Sequence, residues 1–195
     1  MNAPQGSSDV GVATPGASKR RQRAAFAQRL LSKAPDSAAL LDWDSLDHAP
    51  AWLGLPETEL TTFQCQVGAV LHAPALRLWI DGPRLGSARL VLGDAFLQAL
   101  LAQPDSASIP IDLVGCPRID SPSLVGALLK AAGASVLLAS MPHGSVRRVA
   151  GAALAPTNAS PIAQALAQSL VSQAQALASK VAISTPSATT VESAA

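Results

Sequence analysis

Two pairs of side chains have the types and spacing that could do chemistry. Asp44 and His48 are four residues apart, so on a helix they would share one face, as an acid/base or metal-binding pair requires. Cys65 and His72 are seven apart on another predicted helix, where a thiol nucleophile could face a base. Neither pair has a third orienting or ligating group at a matching spacing. We therefore interpret Asp44 as part of a solvated helix start and Cys65 as a core residue.

Other site chemistry has little support in the sequence. The glycines between residues 82 and 93 lack the Lys and Ser or Thr of a phosphate-binding loop. Cys65 and Cys116 lack the paired short spacing of a structural zinc site. The basic run at residues 19–23 has no interleaved aromatic residues on which bases could stack. We therefore predict a non-enzyme that binds no cofactor, no metal and no nucleic acid.

The composition favours one modest domain. The chain has 195 residues, of which 49% are hydrophobic but only 3% aromatic, so the predicted core is built mainly from Leu. A formal charge of +1 creates no overall field that would attract a polyanion. No segment suits a secretory signal peptide, and no apolar run reaches the roughly 20 residues of a bilayer span. We expect a soluble, cytoplasmic protein without a direct membrane span.

Charge and low-complexity stretches divide the chain into four parts. Residues 1–18 are rich in Gly, Ser and Pro and are predicted to be disordered. Residues 19–35 form a predicted basic helix, with Phe26 on its apolar face. Residues 36–155, which begin with an acidic stretch, form the predicted helical core domain. Residues 156–195 are an Ala/Ser/Gln-rich tail.

The most regular hydrophobic pattern lies between residues 58 and 103. Its first helix carries apolar residues at helical spacing: Leu60, Phe63, Val67, Val70 and Leu71. A short helix is expected to continue through Leu78 and Trp79 to the turn at residues 81–83. Another should end at Gly93, after which Asp94 would cap the next helix.

Later segments extend this helical pattern. Ser121 is a predicted N-cap with Pro122 in the first position. The side chains expected to face inward on this helix are Leu124, Val125, Leu128 and Leu129. Residues 109–114 alternate like a strand, but Pro110 favours an extended linker. The apolar set continues to about Leu154, where we expect the packed body to end.

The tail contains a single apolar stripe. Its members are Ile162, Leu166, Leu170, Ala174, Leu177 and Val181. This spacing predicts one amphipathic helix of about 20 residues, which would be marginal alone in water and could dock on a partner. The predicted fold is therefore all-α, a single compact helical domain with a disordered N-terminal segment and a low-complexity C-terminal tail containing that helix.

Four short segments of the core carry a family resemblance. They read VGAVL at 67–71, APALR at 73–77, WIDG at 79–82 and LGDA at 92–95. The Leu55–Pro56 pair and the segment from Met141 to Arg148 are similar too. Over roughly residues 40–154 the chain resembles the YscK/OrgA family of type III secretion sorting-platform proteins, in its plant-pathogen-type branch.

The resemblance implies an all-helical cytoplasmic adaptor without catalysis, held at the inner membrane only through the secretion apparatus. It would support protein export in virulence by linking two partners through protein–protein interaction. These are the cytoplasmic domain of the inner-membrane ring protein and the pod protein, which carries the export ATPase. The residues implied to bind them are Arg77, Trp79, Asp81 and Arg84 on or beside one face, and Arg147 and Arg148 near another.

Two other functions remain open from the sequence. The Ser-rich start also suits a type III export signal, which would make the chain a secreted substrate or regulator of the same machinery. A small hydrolase that uses His48, His72 or Cys65 is the enzyme alternative. Secretion of a reporter fused to residues 1–25 would favour the first, and retained cellular activity after substitution of all three side chains would eliminate the second.

Overall fold

The computed structural model of the chain describes four continuous ranges, residues 48–79, 82–103, 121–154 and 162–184. It also describes residues 20–28 other than 22, and positions 32, 35 and 46. Within these ranges the regular secondary structure is helical and no strand occurs, so the predicted all-α class is confirmed. Phe26 and Leu46 are buried in the same hydrophobic core as the later helices.

A short 3₁₀ turn and seven α-helices follow one another from residue 51 onward in the described ranges. The 3₁₀ turn is Ala51–Gly54, and the helices are α1 (Glu57–Leu71), α2 (Ala73–Arg77), α3 (Gly82–Leu92), α4 (Asp94–Leu101), α5 (Pro122–Ser140), α6 (Ser145–Leu154) and α7 (Gln164–Ser184).

Local signals in the sequence account for several helix ends. Ser121 caps α5, since its hydroxyl oxygen accepts a hydrogen bond from Leu124 N at 3.4 Å. Gly93 ends α3 with a φ of 80°, a conformation that glycine adopts at no steric cost. The predicted capping role of Asp94 is wrong by one residue, because Gly93 occupies the N-cap of α4. The Asp94 carboxylate instead pairs with Arg89 Nε at 3.2 Å.

The centre of the fold is the crossing of α1 and α5. Val67, Val125 and Leu129 are fully buried there. A Cβ on Gly68 would overlap the backbone carbonyl of Leu129, and one on Gly133 would overlap the carbonyl of Gln64. The two glycines therefore let the helix backbones come closer than side chains would permit.

α7 completes the packed body. It lies against α1, α4 and α5, and its buried residues are Ala167, Leu170, Val171, Ala174 and Leu177. The expectation that the packed body ends near Leu154 is therefore wrong. The stripe is thin, but small Ala side chains let the helix approach closely enough to bury it within the chain rather than on a partner.

The periodicity misplaced two apolar side chains. Leu124, predicted to face inward, is 57% exposed, whereas Val125 and Leu129 on the same helix are buried as predicted. The short helix predicted to continue through Leu78 and Trp79 ends at Arg77, and Leu78 is 79% exposed. Pro74 lies within the first turn of α2. Proline is tolerated there because the first helical positions need no backbone N–H.

Some predicted features lie outside the described residues. These are the disordered start at 1–18, most of the acidic stretch at 36–47 and the extended linker at 109–114. The last residues of the tail, from 185 onward, lie outside as well.

α5 is, among the described helices, the one long and apolar enough to span a membrane. It has 19 residues and a mean hydropathy of 1.6 over its most apolar window. In this fold it is the central core helix, in contact with α1, α3, α6 and α7. A core helix of this kind meets the same criteria of length and composition as a spanning one.

Candidate functional site

Arg77 lies at the last position of α2 and forms hydrogen bonds with the end of α4. Its Nη2 donates hydrogen bonds to the backbone oxygens of Gln103, at 2.6 Å, and Leu100, at 3.4 Å. These carbonyls belong to the C-terminal end of α4, where carbonyl groups have no partner within the helix and the dipole is negative. Arg77, predicted as a partner-binding residue, is thus engaged within the fold.

Arg147 has a similar intramolecular role at α5. Its Nη1 donates to the backbone oxygen of Met141, which immediately follows that helix, at 3.2 Å. The same nitrogen lies 3.4 Å from His143 Nε2. Arg147 is half-buried, whereas its neighbour Arg148 is exposed. Of this predicted basic pair, Arg148 is the side chain that the fold leaves accessible.

Two glutamines of α7 bind the same helix ends, a role that the sequence pattern did not predict. Gln168 Nε2 donates to the backbone oxygen of Ser140 at 3.2 Å, at the end of α5. Gln173 donates to the side-chain oxygen of Gln103, whose backbone oxygen is already bound by Arg77. The α7 clasp, as we name Gln168 and Gln173, ties the tail helix to the ends of α4 and α5. The sequence feature that could have indicated these contacts is the placement of Gln residues beside the apolar stripe of the tail helix.

The other residues predicted to bind partners near Arg77 are Trp79, Arg84 and Asp81, and their environments differ. Trp79 is half-buried and packs against the core. Arg84 is half-buried in the first turns of α3, where it is already engaged in an interaction. Asp81 lies outside the described residues. Arg77 belongs to α2, Arg84 belongs to α3 and Trp79 lies between these helices. Arg147 and Arg148 belong to α6, which packs on α5, so the two predicted groups stay on separate elements.

The α3 outer face is the clearest accessible surface near the first group. We define it as Gly86, Arg89 and Leu90, which lie on the side of α3 opposite its buried residues Ala88 and Leu92. Leu90 is 78% exposed, and a Cβ on Gly86 would meet nothing within 4 Å. Sequence periodicity missed this surface because it treats every Leu as a core residue. An exposed Leu beside an Arg can bind another protein through apolar contact and charge.

Cys65 does not have the environment of a reactive thiol. It is buried, and its Sγ lies 3.8 Å from the backbone oxygen of Gly126. Burial raises the pKa of the Cys65 thiol above its ordinary value, and the nearby Lys130 offsets this only in part. The thiol therefore stays protonated at neutral pH, and the thiolate is the nucleophilic form. The interpretation of Cys65 as a core residue is confirmed.

His72 cannot act directly on Cys65. Seven residues of helix separate the two by about 10 Å along the axis, too far for direct proton transfer. His72 is buried at the C-cap of α1, and burial lowers the pKa of its ring. In the other pair, His48 is exposed and Asp44 lies outside the described residues. In the part of the chain that the structure describes, no three His, Cys, Asp or Glu side chains are grouped as metal ligands.

Comparison of the chain with family models, curated proteins and solved structures finds no match.

Proposed function

We propose that this chain is a non-catalytic cytoplasmic adaptor of a type III secretion sorting platform. It links the cytoplasmic domain of the inner-membrane ring protein to the pod protein and ATPase assembly, and so supports protein export. The resemblance of residues 67–95 to the YscK/OrgA family carries this proposal. Those residues run from α1 into the first turn of α4.

The surface of this region offers side chains suited to such a link. Leu78, which follows α2, and Leu90 on α3 are largely exposed, although the nearby Leu76 and Leu92 are buried. Arg89 adds charge beside Leu90, although it also pairs with Asp94 at the helix end. Arg is enriched among the residues that contribute most of an interface's binding energy, and an exposed Leu adds apolar area that is buried on binding. The α3 outer face is therefore the first contact surface of the proposed adaptor.

Arg148 represents the second contact surface. It is exposed on α6, while its neighbour Arg147 is held by the end of α5. Because α6 packs on α5, its position is set by the core and not by α2 or α3. A linking protein needs two such separate surfaces on one rigid body.

The test is co-purification from cells that contain the secretion apparatus and a tagged copy of this chain. Leu90→Asp and Arg148→Glu are each compared with wild type for recovery of the ring protein and the pod protein. We expect each variant to reduce recovery of one partner at least tenfold, since loss of a hot-spot contact removes about 1.4 kcal/mol or more. Secretion of a reporter cargo should fall in parallel.

Ile183→Asp is the matched control. Ile183 is 86% exposed on α7 and lies on neither contact surface, so the same kind of charge introduction should leave recovery unchanged. Circular dichroism of all three variants verifies that the fold is retained. Recovery of neither protein by the wild-type chain, or equal recovery by all variants, would contradict the proposal. Secretion of a reporter fused to residues 1–25 would instead favour a secreted substrate.

A further inference from the structure

His72 is a buried joint between two helices. α1 ends at Leu71 and α2 begins at Ala73, so His72 alone connects them. Its side chain is only 8% exposed. Its Nδ1 is the one buried side-chain nitrogen or oxygen, among the described residues, without a hydrogen-bond partner. A buried polar atom of this kind destabilises a fold by about 1–3 kcal/mol, so its presence requires an explanation.

In the described part of the chain, no group around the ring favours its charged form. The adjoining residues Leu71, Ala73 and Leu76 are apolar and buried. On its own helix, Glu57 and Glu59 lie at the opposite end, about 20 Å away along the axis. Burial alone accounts for the lowered pKa of His72.

The helices packed on α1 and α2 contribute mainly cations. Their charged and titratable groups are Arg77 on α2, Arg84 and Arg89 on α3, Asp94 on α4, Lys130 on α5 and Lys180 on α7, with Cys65 on α1 itself. Asp94 is the one carboxylate among these groups on the packed helices, and its Oδ1 is bound by Arg89. With respect to the described residues, a protonated His72 would thus be a buried cation without an anionic partner.

We propose that His72 is an acid-sensitive joint, whose protonation releases α2 from its packed position on α1 and α4. A buried cation without a partner is avoided by exposing the ring to water, and α2 is the shorter of the two helices that it connects. Release of α2 withdraws Arg77 from the end of α4 and moves Leu78 and Trp79 with it. Mild acid would thus remodel the surface beside α3 before the rest of the core opens.

The direction of the pH effect follows from the two states of the ring. The packed state favours neutral His72, whereas in the open state the ring titrates near its ordinary value of about 6.5. The open state therefore binds more protons. Its population rises by up to tenfold for each pH unit below about 6.5, until the packed state also becomes protonated.

Hydrogen exchange on the full chain tests this inference. Amide protection is measured between pH 7.5 and 5.5 and corrected for the intrinsic pH dependence of exchange. We expect the protection of residues 73–79 to fall at least threefold more than that of the middle of α1. Equal changes in both segments, or no acid-dependent loss in residues 73–79, would overturn the proposal.

Two variants identify the titrating group. His72→Leu should abolish the acid-dependent loss of protection, because Leu fills the buried site without titrating. His143→Gln, which removes an exposed histidine, should behave as wild type. If His72→Leu kept the full acid response, His72 would not be its source. The wild-type exchange experiment decides the proposal even if that variant fails to fold, and neither needs a partner protein, so the outcome is independent of the proposed function.

Discussion

At the scale of single residues, Arg77 and Arg147 show that the position of an arginine in the fold decides whether it is available to a partner or binds the protein's own backbone. The sequence placed Arg77 and Arg147 among residues that would bind partners. In the fold, each donates to backbone oxygens at the end of a helix. Such carbonyl groups lack partners within their own helix, so a nearby guanidinium satisfies them and interacts favourably with the helix dipole. Charge reversal at Arg77 would therefore perturb the fold as well as any contact.

We predict that Arg77→Ala destabilises the protein by about 1–2 kcal/mol, because two carbonyl oxygens at the end of α4 lose a charged donor. Urea denaturation followed by circular dichroism measures the change. Arg148→Ala, at an exposed position, serves as the control and should change stability by less than about 0.5 kcal/mol. Equal effects of the two substitutions would show that Arg77 has no capping role.

The crossing glycines allow a second prediction. Gly68→Ala should destabilise the protein by about 3 kcal/mol or more, because the new Cβ would overlap the backbone carbonyl of Leu129 and force α1 and α5 apart. Thermal denaturation or urea titration measures this loss.

Gly86→Ala is the matched control, since it also lies inside a helix but its Cβ would enter open space. There the substitution should stabilise the protein by about 0.5–1 kcal/mol, through reduced freedom of the unfolded chain and better helix propensity. If both substitutions had the same sign, close approach of the two helices would not be the cause.

At the scale of the elements, α7 was predicted as an amphipathic helix, but its packing into the body of the protein was not expected. Its composition of Ala, Ser and Gln gives few large side chains, and its described charge is Lys180 alone. It is stabilised by a narrow apolar seam and by the α7 clasp, which uses neutral glutamines. A helix of this kind depends on tertiary contacts for its stability.

We predict that Leu170→Ala destabilises the whole protein by about 2–5 kcal/mol, as expected for a core leucine, because Leu170 is buried between α7 and the helices beneath it. Ile183→Ala, an exposed position on the same helix, should have an effect below about 0.5 kcal/mol. Chemical denaturation of the full chain distinguishes the two. A negligible effect of Leu170→Ala would mean that α7 does not belong to the packed body.

At the scale of the whole molecule, the buried side chains of Cys65 and His72 should limit stability, Cys65 at high pH and His72 at low pH. Protonation of His72 opposes folding at low pH, because the packed state favours the neutral ring. Cys65 lowers stability at high pH, because burial raises the pKa of its thiol in the folded state. The unfolded thiol loses its proton near pH 8.5, so the unfolded chain is favoured as pH rises through and above that value. The contribution of these two groups to stability should therefore be most favourable between about pH 7 and 8.

Cys65→Ala tests the alkaline side of this profile. Free energies of unfolding measured between pH 7.5 and 9.5 should fall with pH more steeply for wild type than for the variant. The variant starts from a lower stability because the substitution leaves a small cavity, so the slopes and not the absolute values are compared. Identical slopes would show that the Cys65 thiol titrates alike in both states.

Much of the fold could be predicted from local features of the sequence. The helical spacing of Leu60, Phe63 and Val67 predicted α1, Gly93 predicted the end of α3, and Ser121 predicted the start of α5. Each of these signals acts within a few residues, through steric limits on the backbone, hydrogen bonds near helix ends or the burial of one helix face. The sequence alone therefore determined the all-α class and several of the helix ends in the described ranges.

Only the tertiary structure decided which surfaces remain available and which polar groups are already bound. Arg77 contacts residues more than twenty positions away, Gln173 binds Gln103 across seventy positions, and Gly68 matters because of a carbonyl in α5. Periodicity reports that a helix has an apolar face, but not which helix covers it. Those pairings depend on the simultaneous packing of several helices around one core, and the position of each helix is set by all of its neighbours together.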